Sequence, residues 1–436
     1  MKHFGDDDRG RMWLKVRIGI IVAFFTLGFI AVTGRVYYLQ TVESEMLMSR
    51  QASQLNQRVT RQARRGNILD RNGVELAVSV EVPSIFARTP QIENPEREAR
   101  RLSPHMSMDY DRLVQRLSSE SPFVWLDRQT RPVSAEAIAA LDIPGIGITS
   151  EFKRYYPMSG RAGQILGFVG IDGNGLEGIE RMLEEELAGG TYELSITRDA
   201  RGRPMLTADT PRFRDFEGYS VRLTIDERIQ RVAEEALADQ VEAFDAGGGY
   251  AVVIDVHTGE ILAMANTPSF DPNRINDFSS GDWRMRNITD TFEPGSIFKP
   301  FTVAAALEEK KISLETPFDC ENGRMRIGGY TIRDVKRAGI LNVGEILQVS
   351  SNIGSYKIAQ TIGREKFYDY LRAFGFGSQT GLGVRGEQPG MLWPSDRWAE
   401  IQFANIAFGQ GLTTTPLQLA TSTATIANGG LLMQPR

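Results

Sequence analysis

The first long pattern along the chain is an unbroken apolar one. From Ile18 to Gly34 (IGIIVAFFTLGFIAVTG) no residue is charged, and Trp13, Tyr37 and Tyr38 flank the run. This predicts a membrane-crossing helix over residues 18–39, with aromatic side chains at the two interfaces. A buried core helix or a cleaved signal peptide would share the apolarity, but no small-x-small cleavage site follows at once. Lys2, Arg9, Arg11, Lys15 and Arg17 precede the segment, while only Arg35 and Arg50 follow closely. The positive-inside bias therefore predicts a cytoplasmic tail over residues 1–17 and export of the rest.

Beyond the apolar run the pattern changes several times. Residues 40–65 are polar, lack Gly and Pro and carry sparse apolar positions, so they read as a stalk helix or an extended linker. RGNILDRNGVELAVSV alternates apolar and polar positions around Asn72-Gly73, which predicts a β-hairpin. Residues 84–150 mix helical patterns with Pro breaks, and a Gly-rich loop then leads into an amphipathic helix over about Gly178 to Leu187. YSVRLTIDERIQRVAEEALADQVEAF passes from strand-like alternation into a long helix, and AVVIDVHTGEILAMANTPSF reads as two strands joined at His257-Thr258-Gly259.

Length and composition narrow the function class. A chain of 436 residues, 41% hydrophobic and 24% charged, accommodates two or three folded units. A net charge of -5 without a basic stripe gives no nucleic-acid groove. One cysteine, Cys320, rules out an internal disulfide and reads as a small buried hydrophobe. The three scattered histidines, His3, His105 and His257, make no His-rich metal centre, and no cofactor motif such as G-x-G-x-x-G or a Walker lysine follows a strand.

The chemistry lies in TFEPGSIFKPFTVAAALEE. Pro294-Gly295 forms a turn, after which Ser296 opens an apolar-periodic helix and Lys299 falls at i+3 on the same face. A serine hydroxyl is a weak nucleophile until a neighbouring base takes its proton. The positive end of a helix and burial both push a lysine toward its neutral amine, so Lys299 can serve as that base. Free N–H groups in the same turn can donate to a developing oxyanion. Ser-x-x-Lys alone also fits an ordinary N-cap followed by an exposed lysine. A second element, Ser350-Ser351-Asn352, follows 54 residues after Ser296 and by itself fits a helix N-cap too. Together the two make up two thirds of the Ser-x-x-Lys, Ser-x-Asn and Lys-Thr-Gly signature of penicillin-binding proteins and β-lactamases.

At EPGSIFKPF, SSNIG and FGQGLTTTPLQLATSTATIANGG the chain resembles the transpeptidase domain of class B penicillin-binding proteins. RGNILDRNGVELA, RYYP and the GxxGIE stretch resemble the family's N-terminal pedestal, so the likeness covers nearly everything after the membrane helix. RNITDTFEPGSIFKPFTVAAALE is more similar to the septal, FtsI-like branch than to the elongation branch. The resemblance implies an α+β multidomain fold: a single membrane helix, an elongated pedestal of the dimerisation type over residues 40–215, and an α/β transpeptidase domain over 216–436 with an antiparallel sheet flanked by helices. It implies a bacterial inner-membrane location with the bulk periplasmic. It further implies that Ser296 is acylated by the D-Ala-D-Ala stem peptide of peptidoglycan, Lys299 is the general base, Ser350 relays a proton to the leaving D-Ala, and Asn352 binds the substrate backbone. β-Lactams would take the same site. Implied partners are an FtsW-like glycan polymerase and small FtsQ/FtsL/FtsB-type division proteins.

One departure stands out. No Lys-Thr-Gly or Lys-Ser-Gly occurs, and the family pattern places it beyond Arg436, so the expectation is a C-terminally truncated domain whose activity belongs to the longer protein. Alternative readings are an elongation-type transpeptidase, a β-lactamase or D,D-carboxypeptidase in which water resolves the acyl-enzyme, and a non-catalytic division scaffold or β-lactam receptor.

Overall fold

A computed structural model describes residues 7–41, 56–198, 204–205 and 216–436. These residues belong to two compact units, Met1–Ala63 with Gly190–Phe216, and Arg64–Gly189 with Glu217–Arg436. In the first unit α1 (Asp7–Thr41) runs 35 residues, beyond both ends of the predicted span. At 1.5 Å per residue that is about 52 Å, more than the ~30 Å hydrocarbon core requires. Its stretch Met12–Thr41 is long and apolar enough to cross a membrane, and its side chains are unburied.

The expectation for residues 40–65 is corrected in part. β1 (Asn56–Gln62) is a strand paired antiparallel to a distant segment, from Asn56 opposite Thr197 to Gln62 opposite Thr191. Its hydrogen-bond partners lie well over a hundred residues downstream, so local polarity could not reveal the pairing. Residues 42–55 of that stretch lie outside the described residues.

The second unit begins with the predicted hairpin. β2 (Ile68–Leu69) pairs antiparallel with β3 (Glu75–Ala87), and Gly73 at φ +89° supplies the turn's left-handed position. Asp70 closes the turn by accepting from the Asn72 and Val74 N–H groups. β4 (Val124–Asp127) and β5 (Ile146–Tyr155) both add antiparallel to β3. The helices α2 (Pro95–Leu102), α3 (Tyr110–Leu117) and α4 (Pro132–Ala139) cover a core of Ile85, Leu102, Leu113, Leu126 and Ile138.

The predicted helix over Gly178 to Leu187 is broken. α5 (Gly178–Met182) and α6 (Glu184–Leu187) meet at Leu183, whose φ of -108° and ψ of 36° are not helical. The cause is Arg65, which donates to the Glu180 carbonyl at 2.5 Å, the acceptor a continuous helix would use internally. Arg65 also pairs with the carboxylates of Glu180 at 2.6 Å and Glu184 at 2.7 Å. Arg154, likewise buried, takes the other Glu180 oxygen at 2.6 Å.

After β6 (Thr191–Arg198) and β7 (Pro204–Met205) of the first unit, β8 (Val221–Arg222) joins β2 in parallel. α7 (Glu227–Ala243) follows, its first turn capped by the Asp226 carboxylate. β9 (Gly249–Ile254) and β10 (Ile261–Thr267) form the second predicted hairpin, where the exposed His257 and Thr258 donate backbone N–H groups to Asp255. α7 packs on β10, and α13 (Pro416–Ala427) on β9. The short sheets β11 (Pro317–Asp319) with β14 (Ile340–Asn342) and β12 (Arg324–Ile327) with β13 (Tyr330–Arg333) complete the strands.

A helical layer holds the remaining chemistry. It consists of α8 (Lys299–Glu308), α9 (Val343–Val349), α10 (Asn352–Ile362), α11 (Arg364–Ala373) and α12 (Glu400–Ala407) around Phe298, Phe301, Tyr356, Phe367 and Phe403. Cys320 is fully buried beside Val303, Ile346 and Ile358, as its sequence context predicts.

Candidate active site

Ser296 does not open the α-helix directly. It lies in a 3-10 turn, Gly295–Phe298, that runs without interruption into α8. Pro300 in the first turn of α8 lacks a donor where none is needed, and its fixed φ suits a helix start. Phe298 and Phe301 sink into the core, which turns the intervening face of the helix inward. Lys299 shares that inward face and is 1% exposed, while Ser296, at the lip of the turn, stays exposed.

The turn is clamped from behind. Gly295 donates its N–H to the Gly409 carbonyl at 2.8 Å, and Thr302 Oγ1 donates to the Ala407 carbonyl at 2.8 Å. A Cβ on Gly409 would stand 2.1 Å from the Gly295 carbonyl oxygen, so only glycine permits this approach. Glu293 fixes the same loop by accepting the Gly411 N–H at 2.9 Å. Ile297, on the exposed side, borders an apolar groove of about 560 Å³ that Tyr250, Val252, Phe292 and Leu419 also line.

Three of the four predicted residues converge on one nitrogen. Lys299 Nζ lies 3.2 Å from Ser296 Oγ, 2.8 Å from Ser350 Oγ and 2.5 Å from the Ser350 carbonyl oxygen. Ser350 ends α9 in the left-handed region, φ 59° and ψ 47°, which aims both of its oxygens at Lys299. A non-glycine residue there costs on the order of 1–3 kcal/mol, tolerated where surrounding contacts overdetermine it. Asn352 stands apart from this cluster. It is the first residue of α10, and its amide Nδ2 donates to the Arg333 carbonyl at 3.0 Å.

Burial lowers the Lys299 amine from 10.5 to about 8, against a smaller upward pull from the Asp334 carboxylate. An amine titrating there is neutral in a useful fraction near neutral pH and can accept a proton from Ser296. With the Gly295 N–H taken by the Gly409 carbonyl, the Ser296 N–H is the next donor of the turn, placed where an oxyanion would form.

Sequence reasoning missed Asp334. Its Oδ2 accepts from Ser351 Oγ at 2.6 Å, and its Oδ1 accepts from the Asn352 N–H at 2.6 Å and the Ile353 N–H at 3.1 Å. It follows β13 in a loop rich in Lys and Arg, and no spacing rule ties it to residues 350–353. The N-cap reading of Ser350-Ser351-Asn352 applies to the middle residue, since Ser351 accepts the Gly354 N–H at 2.9 Å.

Comparison with known proteins gives a consistent picture. Residues 249–436 match the penicillin binding protein transpeptidase domain, and residues 60–223 match the penicillin-binding protein dimerisation domain. The chain is 36% identical over 421 residues to the probable peptidoglycan D,D-transpeptidase PenA of Neisseria meningitidis, covering 96% of this chain and 72% of that protein. It is 34% identical over 428 residues to the peptidoglycan D,D-transpeptidase FtsI of Escherichia coli, covering 95% and 71%. Stage V sporulation protein D of Bacillus subtilis is 31% identical, with 97% and 66% covered. Among solved structures, a peptidoglycan synthetase from Bifidobacterium adolescentis superposes with a TM-score of 0.64 at 29% identity, over 87% of this chain and 74% of that one. Penicillin binding protein 3 of Mycobacterium tuberculosis, in complex with aztreonam, gives 0.63 at 27% identity, over 87% and 67%. The chain thus spans roughly two thirds to three quarters of the length of these relatives.

Proposed function

The chain belongs to the class B penicillin-binding proteins, and from that premise we propose that it is a serine D,D-transpeptidase that crosslinks the stem peptides of nascent septal peptidoglycan. The observation that carries the reading is the triangle at Lys299, with Ser296 Oγ at 3.2 Å and Ser350 Oγ at 2.8 Å. A neutral Lys299 has two hydrogens and one lone pair. The hydrogens match the Ser350 carbonyl and hydroxyl oxygens, and the lone pair is left for the Ser296 O–H.

The steps follow from that arrangement. Ser296 Oγ attacks the penultimate D-Ala carbonyl while its proton passes to Lys299, and the tetrahedral oxyanion is met by the Ser296 N–H of the helix-opening turn. Ser350, bonded to the protonated Lys299, relays that proton to the departing D-Ala amine, leaving an acyl-Ser296 ester. A neighbouring stem's amine then attacks the ester, and the reverse proton route frees Ser296. Asn352 holds the substrate backbone once its amide exchanges the Arg333 carbonyl for a substrate carbonyl. A β-lactam enters by the first step and stays attached because its leaving group remains tethered.

The domain division proposed with this function is a cytoplasmic tail over 1–17, a membrane helix over 18–39, a pedestal over 40–215 and a transpeptidase domain over 216–436. The charge asymmetry around α1 supports a cytoplasmic N-terminus and a periplasmic bulk. The likeness to FtsI supports partners of the division machinery, an FtsW-like polymerase and FtsQ/FtsL/FtsB-type proteins.

The test is covalent labelling of the purified full-length protein by a fluorescent penicillin, with the adduct mapped by mass spectrometry. The proposal expects one adduct, on Ser296, absent from Ser296→Ala. Equal labelling of that variant, or an adduct mapped elsewhere, overturns it.

A further inference from the structure

Two charged groups hold the turn that carries Ser350, and only one of them is accounted for by the chemistry above. Lys299 binds the Ser350 hydroxyl and carbonyl. Asp334 binds the next three residues, taking the Ser351 hydroxyl and the Asn352 and Ile353 N–H groups. With Ser351 Oγ taking the Gly354 N–H, every leading donor of α10 has a partner. An N-terminal helix end attracts negative charge, and the carboxylate supplies it from a loop 17 residues upstream. Ser351 could cap α10 with its own side chain alone, as serine does in many helices, so capping does not by itself require a carboxylate here.

The surroundings make Asp334 the electrostatic partner of the base. Its carboxylate is bonded to the two residues that follow Ser350, whose own oxygens meet Lys299, and that nearby charge draws the amine toward its charged form against the effect of burial. The buried Cys320 lies beside Ser351, and the charges of Asp319 and Lys357 act on it together with that of Asp334; Arg333 precedes Asp334 in the chain. Lys357 is engaged by Glu321 and the Asp319 carbonyl. A buried amine that must become an ammonium during acylation needs a counter-charge held in place, because an unpaired buried charge is costly.

Resting on the transpeptidase reading, we propose that Asp334 is a positioning residue of the reaction: it fixes the Ser350–Asn352 turn and supplies the counter-charge to the ammonium that forms on Lys299 as Ser296 attacks. It touches neither substrate nor the reacting atoms. Its effect passes through the turn and through the field at Lys299.

Asp334→Asn separates the two roles, because an amide is nearly isosteric and its oxygen can still accept the N–H groups while the charge is gone. The experiment measures the acylation rate of the purified full-length protein by fluorescent penicillin against pH, for the parent, Asp334→Asn and Asp334→Glu. The parent's rate should rise through a limb near pH 8. In Asp334→Asn that limb should move to lower pH and the plateau fall by roughly tenfold, while Asp334→Glu should restore the parent's limb. A limb unmoved in Asp334→Asn, whatever the plateau, overturns the proposal, since a purely structural role would lower the rate equally at every pH. A parent with no limb near pH 8, or labelling that survives Ser296→Ala, sinks the transpeptidase reading instead. Because acylation is not needed for it, a titration of ¹³Cε-labelled Lys299, assigned by its loss in Lys299→Arg, gives an independent readout. An Asn variant whose Lys299 titrates as in the parent overturns the proposal just as firmly.

Discussion

Ser350 presents both its hydroxyl and its carbonyl oxygen to Lys299 Nζ, at 2.8 and 2.5 Å, and does so from a left-handed backbone conformation that serine seldom adopts. At φ 59° it occupies the position where a glycine commonly ends a helix. The hydroxyl is kept at the expense of backbone strain. Ser350→Ala and Ser350→Gly should both slow acylation by roughly a hundredfold, as loss of a proton relay does. Ser350→Gly should nevertheless be the more stable of the two by about 0.5–1 kcal/mol, since it removes the Cβ strain while adding chain entropy to the unfolded state. Denaturant titration of the pair checks this, and equal stability would show that the turn is unstrained.

The depressed amine makes a prediction about folding as well as rate. Burial holds Lys299 at about 8 in the fold, against 10.5 for an ordinary lysine. Between those values the unfolded chain binds more protons, so this group's contribution to stability rises with pH across the window and is least favourable below about pH 8. Thermal melts of the parent and Lys299→Met from pH 7 to 10 should show the parent gaining on the variant as pH increases. A constant difference would mean that the amine is not desolvated.

Gly409 should be intolerant of the smallest substitution. Alanine there would place its Cβ 2.1 Å from the Gly295 carbonyl and 2.7 Å from Phe298 Cβ, at a φ of +84°. We expect Gly409→Ala to lose on the order of 2 kcal/mol or more. Acylation should fall by at least roughly tenfold even at temperatures where the variant is folded, because the displaced turn carries Ser296. Circular dichroism run beside penicillin labelling separates the two effects.

The buried ion cluster predicts a stability loss of a different origin. Glu180 is fully buried and paired with both Arg65 and Arg154 at 2.6 Å. Glu180→Gln leaves the buried Arg154 without its counter-ion and Arg65 with Glu184 alone, and should cost about 3–5 kcal/mol. A melting temperature close to the parent's would mean that water or another acid compensates.

Much of this was readable from the order of residues because the signals are local. The hairpin at Asn72-Gly73 needs a left-handed glycine in a short turn between alternating strands, and Ser296 and Lys299 meet because three residues make nearly one helical turn. An uncharged run long enough for a membrane helix is visible without any tertiary information. The broken helix at Leu183 was not readable, since it answers to Arg65, more than a hundred residues upstream. Nor was β1, whose ladder partners lie at residues 191–197.

Sequence alone thus determined which groups are available for the chemistry and which of them are helical neighbours, since short-range geometry follows from backbone periodicity. The tertiary fold decided the rest: that Lys299 is desolvated, that Ser350 faces it while Ser351 caps the next helix, and that Asp334 answers both. Those facts depend on packing and on electrostatic interactions between segments distant in the chain, whose strength is set by separation and burial in space and leaves no periodic trace along the polypeptide.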